Sequence, residues 1–241
     1  MVWSCLVSIL PGMAQTEKLT DYVNPFVGTD GYGNVYPGAQ IPFGGIQISP
    51  DTDSRFYDAA SGYKYNHLTL MGFSLTHLSG TGIPDLGDFL FIPGTGEMKL
   101  EPGTHEDPDQ GYRSRYSHDK EWASPNYYAV ELADYGVKAE MTSGVRSGMF
   151  RFTYPESDNA FIMIDMNHTL WQSCEWSNLR MINDSTITGY KLVKGWGPER
   201  HVYFTATFSK KLTGLRFVQD KKPVIYNTSR FRSSYEAWGK N

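Results

Sequence analysis

Asp85 and Asp88, three residues apart in Pro84-Asp-Leu-Gly-Asp88, have a spacing suited to chemistry. Two carboxylates so placed can share a metal ion or act as acid and base. The commoner duty of such a pair is to end a strand and cap a turn. His77 lies in Gly72-Phe-Ser-Leu-Thr-His-Leu-Ser-Gly-Thr-Gly82 and is placed to hydrogen-bond a substrate hydroxyl, although a lone histidine more often serves structure. Asp30, Asp53 and Asp58 are open to the same two readings. Glu175 and Trp176 sit in a polar-aromatic loop, Trp171-Gln-Ser-Cys-Glu-Trp176, without decisive spacing, and Trp196 is a candidate stacking ring between Gly195 and Gly197. Gly28, Gly31 and Gly33 are wrongly spaced for a dinucleotide fingerprint and no helix follows them. The sequence has no Walker-type phosphate loop, no Gly-x-Ser-x-Gly, no His-Glu-x-x-His and no Cys/His cluster with zinc spacing. Residue pattern alone assigns no reaction.

The elements that must position these groups are loops held by strands. Val23 to Ala39 contains five Gly or Pro residues between Gly28 and Gly38, a density that specifies a shaped loop. Ile41 to Pro50 reads as a strand, and Ser61-Gly-Tyr63 and Gly72 to Gly82 return to Gly, hydroxyl and aromatic residues. Loops of this composition on a β scaffold commonly carry binding chemistry; the bland reading is turn formation alone. Phe89 to Ile92 is a short apolar run ending at Pro93-Gly94, and Lys99 to Asp109 is an exposed acidic loop. Tyr127–Leu132 and Val137–Thr142 make a hairpin across Asp134-Tyr-Gly136. Ser147–Tyr154 and Phe161–Asp165 read as the next pair, and Thr186–Val193 with His201–Phe208 flank Gly195 to Pro198. No stretch of eleven or more residues shows a helical period. The expectation is all-β: a β-sandwich with little helix, one domain over residues 20–241 behind a leader at 1–19. The tail Ser233 to Asn241 suggests a sandwich lacking its last strands, with an open edge and poor solubility when expressed alone.

Bulk properties narrow the classes. The chain has 241 residues, 15% aromatic and 20% charged, with a formal net charge of −4. No basic stripe is visible, which argues against nucleic acid. Sixteen Tyr and six Trp suit a sugar-binding surface, since a pyranose has an apolar face, and equally suit packed sheet faces. The two cysteines, Cys5 and Cys174, do not suggest a structural disulfide. Val2 to Leu10 is apolar and ends near a candidate cleavage after Ala14, like the end of a signal peptide without its basic start. It is too short to span a bilayer, which takes about 20 residues. Export from a bacterial cytoplasm is expected; the alternative is a frayed N-terminal segment.

Val23-Asn-Pro-Phe-Val-Gly-Thr29, Gly33-Asn-Val-Tyr-Pro-Gly-Ala39, Pro42-Phe-Gly44, Ser49-Pro-Asp51, Ser61-Gly-Tyr63, Gly72 to Gly82 and Asp85-Leu-Gly-Asp88 together resemble the N-terminal domain of glycoside hydrolase family 92. The likeness continues through Tyr116 to Tyr128, Gly189 to Trp196 and Phe204 to Ser209. The resemblance implies a β-sandwich that precedes an α-helical barrel in an exo-acting, inverting α-mannosidase requiring Ca2+. It places the catalytic carboxylates and the calcium ligands in the C-terminal domain, so none is expected in this fragment, which should be inactive alone. The partners implied are a mannose-containing glycan and that C-terminal catalytic domain, with no nucleic acid and no transmembrane segment. The compartment implied is the periplasm or surface of a Gram-negative bacterium. The sandwich would line one side of the mannose pocket through Gly33, Asn34, Tyr57, Asp58 and His77. Asn34 stands where other members often carry His, and Phe56-Tyr-Asp58 where many have a Trp. A free-standing carbohydrate-binding module is the alternative.

Overall fold

Short alternating runs broken by Gly, Pro, Asn and Asp make strands and tight turns, and strands are what this chain forms. A computed structural model describes residues 17–54, 59–213, 216–219 and 222–224. The leader with Cys5 and Ala14, and the tail from Ser233, lie outside the described residues. The strands are β1 (Ser49–Asp51), β2 (Thr69–Leu70), β3 (Gly72–Ser74), β4 (Leu90–Thr95), β5 (Ser114–Arg115), β6 (Glu121–Ser124), β7 (Tyr127–Leu132) and β8 (Val137–Ser143). They continue with β9 (Gly148–Thr153), β10 (Ala160–Asp165), β11 (Ser173–Asn183), β12 (Thr186–Lys194), β13 (Arg200–Thr207), β14 (Phe217–Gln219) and β15 (Lys222–Val224). Short 3-10 turns at Leu19–Tyr22, Pro108–Gln110 and His118–Lys120 interrupt them.

One four-stranded sheet runs β1-β3-β4-β10 and another runs β6-β7-β8-β9; a three-stranded sheet runs β11-β12-β13. All pairings are antiparallel. The two four-stranded sheets share a core. Phe73 of β3 lies 6.3 Å from the ring of Phe152 in β9, and Phe91 of β4 lies 5.1 Å from Phe150. Val130, Leu132, Val137, Ala139 and Met141 complete that layer. The third sheet joins through Phe204 of β13, whose ring is 4.5 Å from Phe89 and 6.0 Å from Phe91. This is the all-β, sandwich-like architecture expected.

Several local expectations change. β9 and β10 adjoin in sequence yet do not pair: β9 adds to β8 and β10 adds to β4, so the chain changes sheets at the turn after Tyr154. Ile41 to Pro50 is not one strand. Gly44 closes a turn onto Ile41, Phe43 takes a left-handed conformation in solvent, and only the Ile48 bridge to Ala39 precedes β1. The alternation there reflects a turn whose apolar residues happen to fall at period two. β4 runs on through Pro93 and Gly94, paired with Ile162 and Phe161 of β10. A proline is tolerated because β3 meets β4 only at Phe91, leaving the other side of β4 at Pro93 outside the β3 ladder. β11 begins inside the stretch read as a polar-aromatic loop. Two register shifts and polar residues such as Asn178 and Arg180 hide its alternation.

Candidate functional site

Asp51, at the end of β1, is fully buried and is where the glycine-rich loops converge. It accepts hydrogen bonds from Nε2 of His77 at 2.8 Å and from Nε2 of His168 at 2.7 Å. Burial pushes the Asp51 carboxyl up, but the two histidines outweigh it and hold the group well below the usual carboxylate range. Gly62, from Ser61-Gly-Tyr63, has φ +85° and presses against the same carboxylate; a Cβ there would lie 2.2 Å from Oδ1 of Asp51. Only glycine meets both demands. Gly62→Ala is expected to lower stability by about 2–3 kcal/mol. Urea denaturation checks this, and an unchanged midpoint would rule out the tight packing described.

The expected site residues occupy different surroundings. Gly33 closes a turn onto Asp30, and a Cβ on it would lie 2.2 Å from the Gly28 carbonyl oxygen. Asn34 has φ +51°, and its backbone carbonyl accepts from Gly80 N at 2.7 Å, which ties the first loop to the loop after His77. Its Nδ2 reaches the Tyr32 carbonyl, and its Oδ1 has no hydrogen-bond partner among the described residues. Tyr36, two residues on, packs its ring 5.1 Å from His77. Gly33, Asn34 and His77 are thus brought to one neighbourhood. Tyr57 and Asp58 lie outside the described residues.

His77 is enclosed. Its Nδ1 lies 2.7 Å from the Gln47 carbonyl oxygen, and its Nε2 is also 3.1 Å from Oγ of Ser74. With its side chain out of solvent, His77 ties loops together, the structural role, and presents neither ring nitrogen to solvent. Ser74, His77 and Asp51 do not form a nucleophilic triad: serine and aspartate share one ring nitrogen, whereas a triad needs them on opposite nitrogens. The tyrosine of the same motif anchors the loop elsewhere. Tyr63 donates to both oxygens of buried Glu121, at 2.9 and 3.1 Å, beside Tyr128 and His118. Burial, next to that carboxylate, raises both phenols and keeps them donors.

Asp85 and Asp88 diverge into structural tasks. Asp88 lies 3.0 Å from Nζ of the fully buried Lys191 and 2.5 Å from Nη1 of Arg200, and accepts from Thr76. Burial pushes its carboxyl up, and those two cations outweigh it and hold it down. Asp85 accepts from the backbone N–H of Leu86 at 2.6 Å and of Trp196 at 3.0 Å. The cation the two carboxylates share is the Arg200 guanidinium, 3.8 Å from Asp85 and 2.5 Å from Asp88, and among the described residues no group of three or more His, Cys, Asp or Glu side chains is placed to hold a metal ion. Asp30 ends in a turn, and Asp53 is buried with its Oδ2 3.3 Å from Nε2 of His105.

An open trough of about 490 Å³ lies between Ile83, Pro84, Trp171, Gln172, Lys194 and Trp196. Trp196, the ring expected to stack, is 60% exposed, and Trp171 is 61% exposed. Asp51, His168, Lys191, Arg200 and Trp171 are the residues sequence reasoning missed. Asp51 carried one signal, its place in Ser49-Pro-Asp51. His168 and Lys191 carried none, because their partners are distant in sequence.

The strands form an all-β, sandwich-like scaffold, and its polar and aromatic loops are the candidate site. The chain belongs to glycosyl hydrolase family 92: the description "Glycosyl hydrolase family 92 N-terminal domain" matches residues 22–240. A protein of Arthroderma benhamiae described as an uncharacterized secreted glycosidase is 30% identical over 139 residues, covering 57% of this chain and 17% of that protein. Among solved structures, the family 92 glycosyl hydrolase ccman5 superposes with a TM-score of 0.64 at 29% identity, covering 77% of this chain and 26% of its own. The family 92 inverting mannosidase BT2199 of Bacteroides thetaiotaomicron gives 0.62 at 25% identity, covering 79% and 25%. The chain thus spans about a quarter or less of each relative. No helix among the described residues is long and apolar enough to cross a membrane.

Proposed function

We propose that this chain is the N-terminal, non-catalytic part of an exported, calcium-dependent, inverting exo-α-mannosidase, and that its glycine-rich loops form one wall of the mannose pocket. The observation that carries this reading is the convergence of three loops on Asp51, through His77, Gly62 and the Asn34–Gly80 bond. One buried carboxylate fixes loops that would otherwise be independently mobile, which is what a preformed sugar wall needs. Inversion requires an acid and a base roughly 6.5–9.5 Å apart across the scissile bond. Asp85 and Asp88 are committed to backbone amides, the buried Lys191 and the partly buried Arg200, so the reading assigns both roles, and the calcium ligands, to residues outside this chain. The neighbouring inverting mannosidase supports the mechanism, and the relative described as secreted supports export. The periplasm or surface of a Gram-negative bacterium is the proposed location.

The test is release of mannose from an α-linked mannobiose, with calcium and with chelator. It compares the 241-residue chain alone with the longer protein this reading supposes. Mannose release only by the longer, calcium-loaded protein is the expected result. Release by the chain alone would overturn the assignment.

A further inference from the structure

We infer that the trough between Trp171 and Trp196 is a binding site for a neutral pyranoside, separate from the loops around Asp51. It shares no residue with the Gly33, Asn34 and His77 neighbourhood. The indoles of Trp171 and Trp196 are the two most exposed among the described residues and stand at one trough, and an indole face is well matched to the C–H face of a sugar ring. At about 490 Å³ the trough is of ligand-site size, ~300–1,000 Å³.

The backbone beneath the rings is built to hold them out. Trp171 has φ +72°, a conformation that a bulky L residue rarely adopts. Leu86, with φ +74°, ties down the residue before it: the Leu86 carbonyl accepts from Leu170 N at 2.9 Å. Thr169 Oγ1 donates to the Gln172 carbonyl, and Gln172 Nε2 donates to the Pro84 carbonyl, each at 2.8 Å. On the other wall, Asp85 holds Trp196 through its backbone N–H, and Gly195 leaves no room for a side chain against Asp85. Left-handed residues kept at a non-catalytic trough point to a positioning function.

The rim supplies hydroxyl chemistry without net charge. Ser173 donates to Glu175 at 2.7 Å, and Lys194 lies 3.2 Å from the other oxygen of Glu175. The lysine charge is balanced by its partner, so the rim presents donors and acceptors together. That combination suits vicinal hydroxyls better than a phosphate or carboxylate.

The experiment is calorimetric titration of the 241-residue chain with methyl α-D-mannopyranoside, a probe chosen from the proposed function, with the open-chain polyol sorbitol as control. Saturable binding with a Kd of about 1–10 mM is expected for the mannoside and none for sorbitol. Trp196→Ala and Trp171→Gly should each weaken binding by about tenfold or more with the thermal transition retained. Glycine is chosen at 171 because it keeps the left-handed backbone while removing the ring. Trp122→Phe, which changes an indole on β6, should leave binding intact. No saturation by a cooperatively folded chain, equal binding of sorbitol, or undiminished binding in both trough variants would overturn the inference. Binding that Asn34→Ala abolishes while the trough variants keep it belongs to the Asp51 loops. That outcome sinks this inference and leaves the proposed function standing. Failure of the longer protein to release mannose, with this titration intact, does the reverse.

Discussion

Lys191→Met will destabilise the domain by about 3 kcal/mol, the low end of the cost of breaking a buried ion pair, because Asp88 loses its fully buried cation and keeps Arg200. Lys191 sits on the inward face of β12, in line with Ile187, Gly189 and Val193, and is fully out of solvent. Its ammonium lies 3.0 Å from Asp88, donates to the His168 carbonyl and stands 5.1 Å from the Phe89 ring centroid. Burial pulls the Lys191 ammonium towards neutrality, and the Asp88 carboxylate opposes that pull. Methionine fills the volume but leaves Asp88 with Arg200 and Thr76 alone. The urea midpoint reads the loss. Asp88→Asn combined with Lys191→Met should recover much of it, since two neutral groups of similar shape replace two charges. A single substitution with an unmoved midpoint would show that Arg200 suffices for Asp88.

Asp51→Asn should cost about 3 kcal/mol, because an amide of the same shape offers one acceptor oxygen where two histidine N–H groups need one each. Its effect should also depend on pH, in a direction the geometry fixes. The folded-state pKa of Asp51 is depressed below the unfolded value of about 3.9. A depressed carboxylate contributes stability that is present above the unfolded pKa and is lost as pH falls through the folded one. The wild-type advantage over Asp51→Asn should therefore be full at neutral pH and shrink as the pH is lowered below about 4. Thermal melts of both proteins across that range check it. A gap that widens on acidification would contradict the ionised, doubly bonded carboxylate described here.

What could be read ahead of the structure was local. The hairpins β7–β8 and β12–β13 were legible because their turn residues and alternating runs adjoin in sequence. The β9–β10 pairing was misread because adjacency does not decide which sheet a strand joins. Phe150 and Phe161 look alike in sequence and pack in different sheets. Site residues followed the same division. The glycines of the first loops announced themselves through turn chemistry. The carboxylate that gathers the loops did not: Asp51 finds His77 across 26 residues and His168 across 117. Glu121, which fixes Tyr63 across 58 residues, was not singled out at all. Lys191 hid because a charge on the inward face of an alternating strand breaks the apolar pattern that marks burial.

The 117-residue reach from Asp51 to His168 also sets an order of events during synthesis. A ribosome adding about 5–20 residues per second delivers His168 roughly 6–23 s after Asp51. Until then β1 has emerged with half of its carboxylate's partners, and the glycine-rich loops, among the first parts of the chain to be made, are among the last to acquire their full set of restraints. These loops are thus fully fastened only when the third sheet begins to form, and a nascent chain halted before residue 168 would carry them without the His168 anchor.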